Sequence, residues 1–207
     1  MRPAALIFDF DGLVIDSERV AVEVFMDVMA EHGATVELHE LAHLFGTTDA
    51  DDEWDSLIRS RCTLTMGEVT TLMTPRVRAA VDALPLLPGV RELLDAAHAG
   101  GVKVGLGTGH DPALLGPRLD RLGLHFDAVV TRGDVEHGKP APDIFLEVAR
   151  RLGVDPAACL VLEDSINGCL AALAAGMRAV ACPSIVTADA TFPDGVHRVA
   201  SLLEVSL

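Results

Sequence analysis

The stretch Ala4-Ala5-Leu6-Ile7-Phe8-Asp9-Phe10-Asp11-Gly12 decides the fold. Its short apolar run ends in Asp9 and predicts a buried strand. Gly12 permits a sharp departure of the backbone from that strand. Acids at the end of a buried strand are costly unless they are paired or metal-bound. A D-x-D pattern by itself carries little weight in a chain so rich in Asp. Asp49-Ala50-Asp51 is a second copy, and there a solvated helix start is the plainer reading. The buried strand in front of Asp9 and Asp11 sets the first copy apart.

Moving outward, the rhythm changes between Ser17 and Leu86. Val20, Val24, Phe25, Val28 and Met29 recur at helical spacing, as do Trp54, Leu57 and Ile58, and then Val69, Leu72, Met73, Val77 and Val81. This predicts helices with breaks near Gly33, Gly46 and Gly67. Thr48-Asp49 offers an N-cap for the helix that carries Trp54. After Pro85 and Pro88-Gly89, helices over 90–99, 113–122, 143–152 and 167–175 alternate with strands over 102–106, 128–130, 160–162 and 179–181. A short helix over 199–203 closes the chain. Alternation of this kind predicts right-handed βαβ units and a parallel, Rossmann-like sheet covered by helices. The fold class is therefore α/β. Residues 1–16 and 87–207 form the core, and residues 17–86 form an inserted all-helical domain.

In open parallel sheets, chemistry collects beyond the carboxyl ends of the strands. Those ends carry Asp9, Thr108, the loop with Lys139, and the pair Glu163-Asp164. Several carboxylates at one sheet edge repel each other, and a hard divalent cation with oxygen ligands, Mg²⁺ above all, relieves this. Asp164 has a simpler alternative role as the N-cap of the following helix. Lys139 is one of only two lysines, with Lys103, which favours a point-charge role over a solvent one. Gly107-Thr108-Gly109 would let backbone N–H groups and a hydroxyl approach an anion.

The chain has 207 residues and a formal net charge of −15. That charge argues against nucleic acid and against anionic membrane surfaces as partners. No apolar run is long enough to span a bilayer, and no signal peptide is evident. Cys62, Cys159, Cys169 and Cys182 lack metal-ligand spacing and read as free thiols. Together these features predict a cytoplasmic protein, a monomer or weak dimer, whose partner is a small molecule.

The segments FDFDGLVIDSE, GLGTGH, GKPAPDIF and LEDSINGCLAALAAGM resemble, in order, the four motifs of the haloacid dehalogenase superfamily. The pattern is most similar to the branch with a helical cap after the first motif, which holds β-phosphoglucomutase and sugar-phosphate phosphatases. The resemblance implies a Mg²⁺-dependent hydrolase of small phosphate esters. Asp9 would be the nucleophile, and Asp11 the general acid and then base. Thr108, Gly109 and Lys139 would hold the phosphate. Asp9, Asp11 through its carbonyl, Glu163 and Asp164 would hold the metal.

Dehalogenases of this superfamily resemble the first motif without its second Asp, so Asp11 points to phosphoryl chemistry. The phosphonatase branch uses a cap lysine, and residues 17–86 contain none. Mutases resembling this chain carry a His and an Arg where Ala21 and Asp49 stand here. A phosphatase is therefore the first expectation and a phosphosugar mutase the second. A non-catalytic binding protein is the third, and the complete set of reactive side chains speaks against it. Thr47, Thr48 and Asp49 are expected to face the far end of the substrate, where a carboxylate disfavours a second phosphate.

Overall fold

The computed structural model describes residues 2–41, 51–110 and 112–207. Strand β1 (Ala5–Phe8) lies at the centre of a six-stranded parallel sheet with β2 (Lys103–Gly107), β3 (Ala128–Val130), β4 (Cys159–Glu163), β5 (Arg178–Ala181) and β6 (His197–Arg198), in the order β3-β2-β1-β4-β5-β6. Successive residues of β1 face opposite sides of the sheet, and helices cover both sides, so all four are buried. Leu6 and Phe8 join a cluster with α5 (Val90–Ala99) and α6 (Pro112–Leu122) on one face. Ala5 and Ile7 join a cluster with α7 (Asp143–Leu152) and α8 (Ile166–Ala174) on the other.

Helix α7 carries its apolar stripe as Ile144, Phe145, Val148, Ala149 and Leu152, all buried, at the spacing of a single helix face. It lies very close to β2. A Cβ at Gly105 would fall 2.4 Å from Val148 Cγ1, so only glycine allows this approach. The close seating brings the loop before α7, with Lys139, over the sheet edge.

Between β1 and α5 run α1 (Ser17–Glu31), α2 (Leu38–Leu41), α3 (Asp51–Arg61) and α4 (Met66–Val81). They share a third cluster built on Val22, Phe25, Val28, Met29, Leu41, Ile58 and Val69. Phe25 meets Trp54 edge-on, with ring centroids 5.2 Å apart. Arg76 forks onto both carboxylate oxygens of Glu31 at 2.7 and 2.8 Å and ties α4 to α1. No described helix is long and apolar enough to cross a membrane.

Two local expectations need correction. The helix break expected near Gly67 falls earlier, because Thr65 and Glu68 form a reciprocal capping box that starts α4 at Met66. The closing helix over 199–203 is a short 3₁₀ turn at Leu202–Glu204, preceded by the unforeseen β6. That strand is two exposed residues long, so it leaves no apolar run to detect. The Thr48-Asp49 cap lies outside the described residues.

Phe145 is fully buried, and its ring lies 4.8 Å under the Lys139 ammonium. Phe145→Ala should lower unfolding free energy by about 3–5 kcal/mol in urea titration, while Phe145→Leu should cost clearly less.

Candidate active site

Asp9 follows β1 directly and is buried, and its backbone N–H donates to Leu162 O at 3.0 Å, continuing the parallel ladder one step past the strand. Its Oδ1 accepts a hydrogen bond from Lys139 Nζ, which also donates to Glu163 Oε1. The other oxygen of Glu163 accepts from Asp164 N at 3.0 Å, Ser165 N at 2.9 Å and Ser165 Oγ at 2.8 Å. Glu163 is thus fully buried with both oxygens engaged. Burial raises the Asp9 carboxyl to about 8, against the opposing pull of Lys139 and with the charges of Glu163 and Asp11 adding to the rise. Burial would lower the Lys139 ammonium, but Asp9 and Glu163 outweigh it and hold it above its ordinary value. One ammonium between two carboxylates leaves this group short of positive charge.

Asp164 deepens the shortage. It is buried, and its Oδ2 is the buried side-chain atom left without a hydrogen-bond partner among the described residues. Burial first, then the charges of Glu18, Glu163 and Asp9, raise it well above the carboxylate range. Asp164 is not the helix cap. Ser165 fills that role for α8, accepting from Gly168 N at 3.0 Å. Gly12, at φ 73°, leaves room for the buried Asp164 side chain, since a Cβ there would fall 2.1 Å from Asp164 Oδ2.

No three acidic, His or Cys side chains among the described residues are preassembled as a metal site. Even so, an orphaned carboxylate oxygen beside a cluster lacking positive charge suits a hard cation. Asp164, Asp9 and the carbonyl of Asp11 are the groups free to serve it. Glu163, saturated by Lys139 and the Ser165 turn, fits a supporting role.

Asp11 stands in different surroundings. Its Oδ1 accepts from Ser17 Oγ at 2.8 Å, and its Oδ2 from His110 Nδ1 at 2.9 Å. Burial acts to raise its pKa, but the bonds from His110 and Ser17 and the nearby Arg118 charge outweigh burial and lower it. Thr108 is buried just beyond β2, and its hydroxyl accepts from His110 N at 3.1 Å. A Cβ at Gly109 would meet open space, so the backbone there is open to approach. Thr47, Thr48 and Asp49 lie outside the described residues.

A cleft of about 540 Å³ separates the helical insert from the sheet edge and is lined by Asp11, Glu18, Ala21, Met73, Val77 and His110 among others. Sequence reasoning missed Ser17, Glu18, His110, Ser184 and Thr187. Ser184 Oγ donates to Glu18, and Thr187 Oγ1 donates to Asp164 O at 2.7 Å. Ser17, Glu18 and His110 stand inside quoted motif segments, so adjacency was an available signal. Ser184 and Thr187, in an ordinary loop after β5, gave none.

The family of haloacid dehalogenase-like hydrolases matches residues 3–176. YhcW of Bacillus subtilis (strain 168) is 37% identical over 98% of this chain and 94% of its own. Hexitol phosphatase B of Escherichia coli (strain K12) is 34% identical over 87% and 83% respectively. The crystal structure of CbbY from Rhodobacter sphaeroides in complex with phosphate superimposes with a TM-score of 0.75 at 27% identity, covering 98% of this chain and 96% of that one. With its parallel sheet and its acids gathered beyond the strand ends, this chain belongs to the haloacid dehalogenase-like hydrolase family.

Proposed function

We propose that the protein is a phosphatase that hydrolyses a small phosphate monoester, of the sugar or polyol type, through an aspartyl-phosphate on Asp9. The observation that carries this is the pairing of two unlike acids two residues apart. Asp9 is buried against the Lys139 ammonium, and Asp11 is held by two donors at the mouth of the cleft. Two carboxyl groups two residues apart, one against the ammonium that would hold the phosphoryl group and the other facing the cleft, suit different roles in that reaction. The hexitol phosphatase relative supports the substrate class.

In this reading, Lys139, the Thr108 hydroxyl and the backbone at Gly109 orient the phosphoryl group. Asp9 reacts as the carboxylate, and its oxygen bonds to phosphorus as the bond to the ester oxygen breaks. Asp11, which takes up a proton from solvent as the anionic substrate enters, gives that proton to the ester oxygen, and the alcohol leaves. Asp11, now ionised, takes a proton from water as the water oxygen bonds to phosphorus and the bond to Asp9 breaks. Asp9 and phosphate are released. Mg²⁺ held by Asp9, the Asp11 carbonyl and Asp164 would supply positive charge against the phosphoryl oxygens. Phosphatase is favoured over mutase because Ala21, which lines the cleft, offers no acid–base group.

Asp9→Asn should abolish phosphate release while the protein stays folded, checked by circular dichroism. Asp11→Asn should accumulate phosphorylated protein from p-nitrophenyl phosphate in rapid quench, because no base activates water. Loss of both half-reactions without a trapped species would overturn the two roles.

The raised carboxyls give a second expectation. The folded carboxyl of Asp9 sits at about 8 against an ordinary 3.8, so the folded state binds more protons than the unfolded one in that window. Its contribution to stability therefore falls as pH rises from the lower value to the higher one. A cation replaces those protons. Mg²⁺ should release protons on binding near neutral pH, read by calorimetry in buffers of different ionisation enthalpy, and should raise the melting temperature more at alkaline than at acidic pH.

A further inference from the structure

We propose that His110 is a positioning residue for Asp11, held by Arg118 so that its Nδ1 points at that carboxylate. The inference rests on the reading of Asp11 as the acid–base group. His110 Nδ1 lies 2.9 Å from Asp11 Oδ2, and the ring stands against Phe10 with centroids 5.7 Å apart. On its far side, His110 Nε2 is bonded to Arg118 Nη1. Arg118, on α6, is buried and donates from Nε to Asp82 Oδ1 at 2.8 Å. Asp82 is the residue that ends α4.

The chemistry of these partners fixes the protons. A guanidinium has five N–H donors and no acceptor. Its partner Nε2 must therefore present a lone pair, which leaves the single ring proton on Nδ1, aimed at Asp11. The chain of donation runs Arg118 to His110 to Asp11, with Asp82 anchoring its start. His110 cannot itself serve as a base, because its lone pair is engaged. What it supplies is aim: with Ser17 on Oδ1 and His110 on Oδ2, both oxygens of Asp11 are held by donors from separate segments. An acid–base group must sit within hydrogen-bond reach of the ester oxygen, and a small misplacement far from the bond being broken costs rate steeply.

The test separates aim from general damage. A p-nitrophenolate leaving group needs no proton, whereas a sugar or polyol alkoxide does, and kcat/KM reports the step in which that group leaves. The alkyl substrate is whichever of a hexitol, hexose or glycerol phosphate the wild type uses best. His110→Ala should lower kcat/KM by about 30-fold or more for the alkyl ester and less than about 3-fold for p-nitrophenyl phosphate. His110→Asn, whose amide nitrogen can stand near the place of Nδ1, should recover most of the alkyl activity. His110→Gln, whose amide reaches the Nε2 side, should not. Asp11→Asn is the benchmark and should show the same dependence on the leaving group. If it does and His110→Ala loses both substrates equally, or Gln rescues as well as Asn, the positioning role is overturned and the phosphatase reading stands. If Asp11→Asn shows no such dependence, or the wild type hydrolyses none of these esters, the phosphatase reading fails and this inference with it. Long-range proton–nitrogen spectra of histidine-labelled protein give an independent readout. His110 should be the Nδ1–H tautomer at neutral pH in the wild type and should lose that preference in Arg118→Met. A wild-type His110 found with its proton on Nε2 and none on Nδ1 overturns the inference.

Discussion

The site depends on one ammonium shared by two buried carboxylates. Lys139 bonds both Asp9 and Glu163, and all three come from separate βα connections. A buried charge without a partner is very costly, and a buried pair must have its remaining hydrogen bonds satisfied to be tolerated. Glu163 meets that condition through Asp164 N and the Ser165 turn. Asp9 and Asp164 do not have equivalent compensation. The sheet order places β4 beside β1, so the acids at both strand ends are forced together by backbone pairing. Gly105 lets α7 close down on β2 and carry Lys139 into reach. The remaining deficit of positive charge is a property of the chain itself, and it makes the edge receptive to a cation.

The contrast between Asp9 and Asp11 follows from the same geometry. They are separated by one residue, yet burial dominates the first while hydrogen bonds dominate the second. Gly12 makes the difference. Its left-handed turn takes the backbone away from the sheet, so Asp9 faces Lys139 while Asp11 reaches the cleft. Two identical side chains acquire different surroundings because one meets the Lys139 ammonium in the core and the other meets the Ser17 hydroxyl and the His110 ring at the cleft.

Much of this was legible in the sequence because strand ends are local signals. The run before Asp9 and the runs before Thr108 and Glu163 each marked an edge position, and parallel-sheet topology alone gathers such positions. The Gly-Lys-Pro-Ala-Pro segment marked the loop with Lys139. What was not legible depends on distant pairing. His110 and Asp11 are 99 residues apart, and Ser184 and Glu18 are 166 apart. No periodicity encodes such a contact, since each residue type is also ordinary in a turn. Asp164 shows the reverse case. Sequence allowed it to be either a cap or a site residue, and only the bond from Gly168 to Ser165 removes the first option.

The two acids are also anchored to different parts of the molecule. Asp9 is held by β4 and the loop before α7, all within the sheet and its covering helices. Asp11 is held by Ser17, the first residue of α1, and through His110 and Arg118 it connects to Asp82, which ends α4. Those two residues lie at the start of α1 and the end of α4, the first and last described helices between β1 and α5. The bonds that hold Asp9 stay at the sheet edge, whereas those that hold Asp11 run toward both of those helices. On the proposed roles, a change in how the helices are seated acts on proton transfer before it acts on the carboxylate that would attack phosphorus.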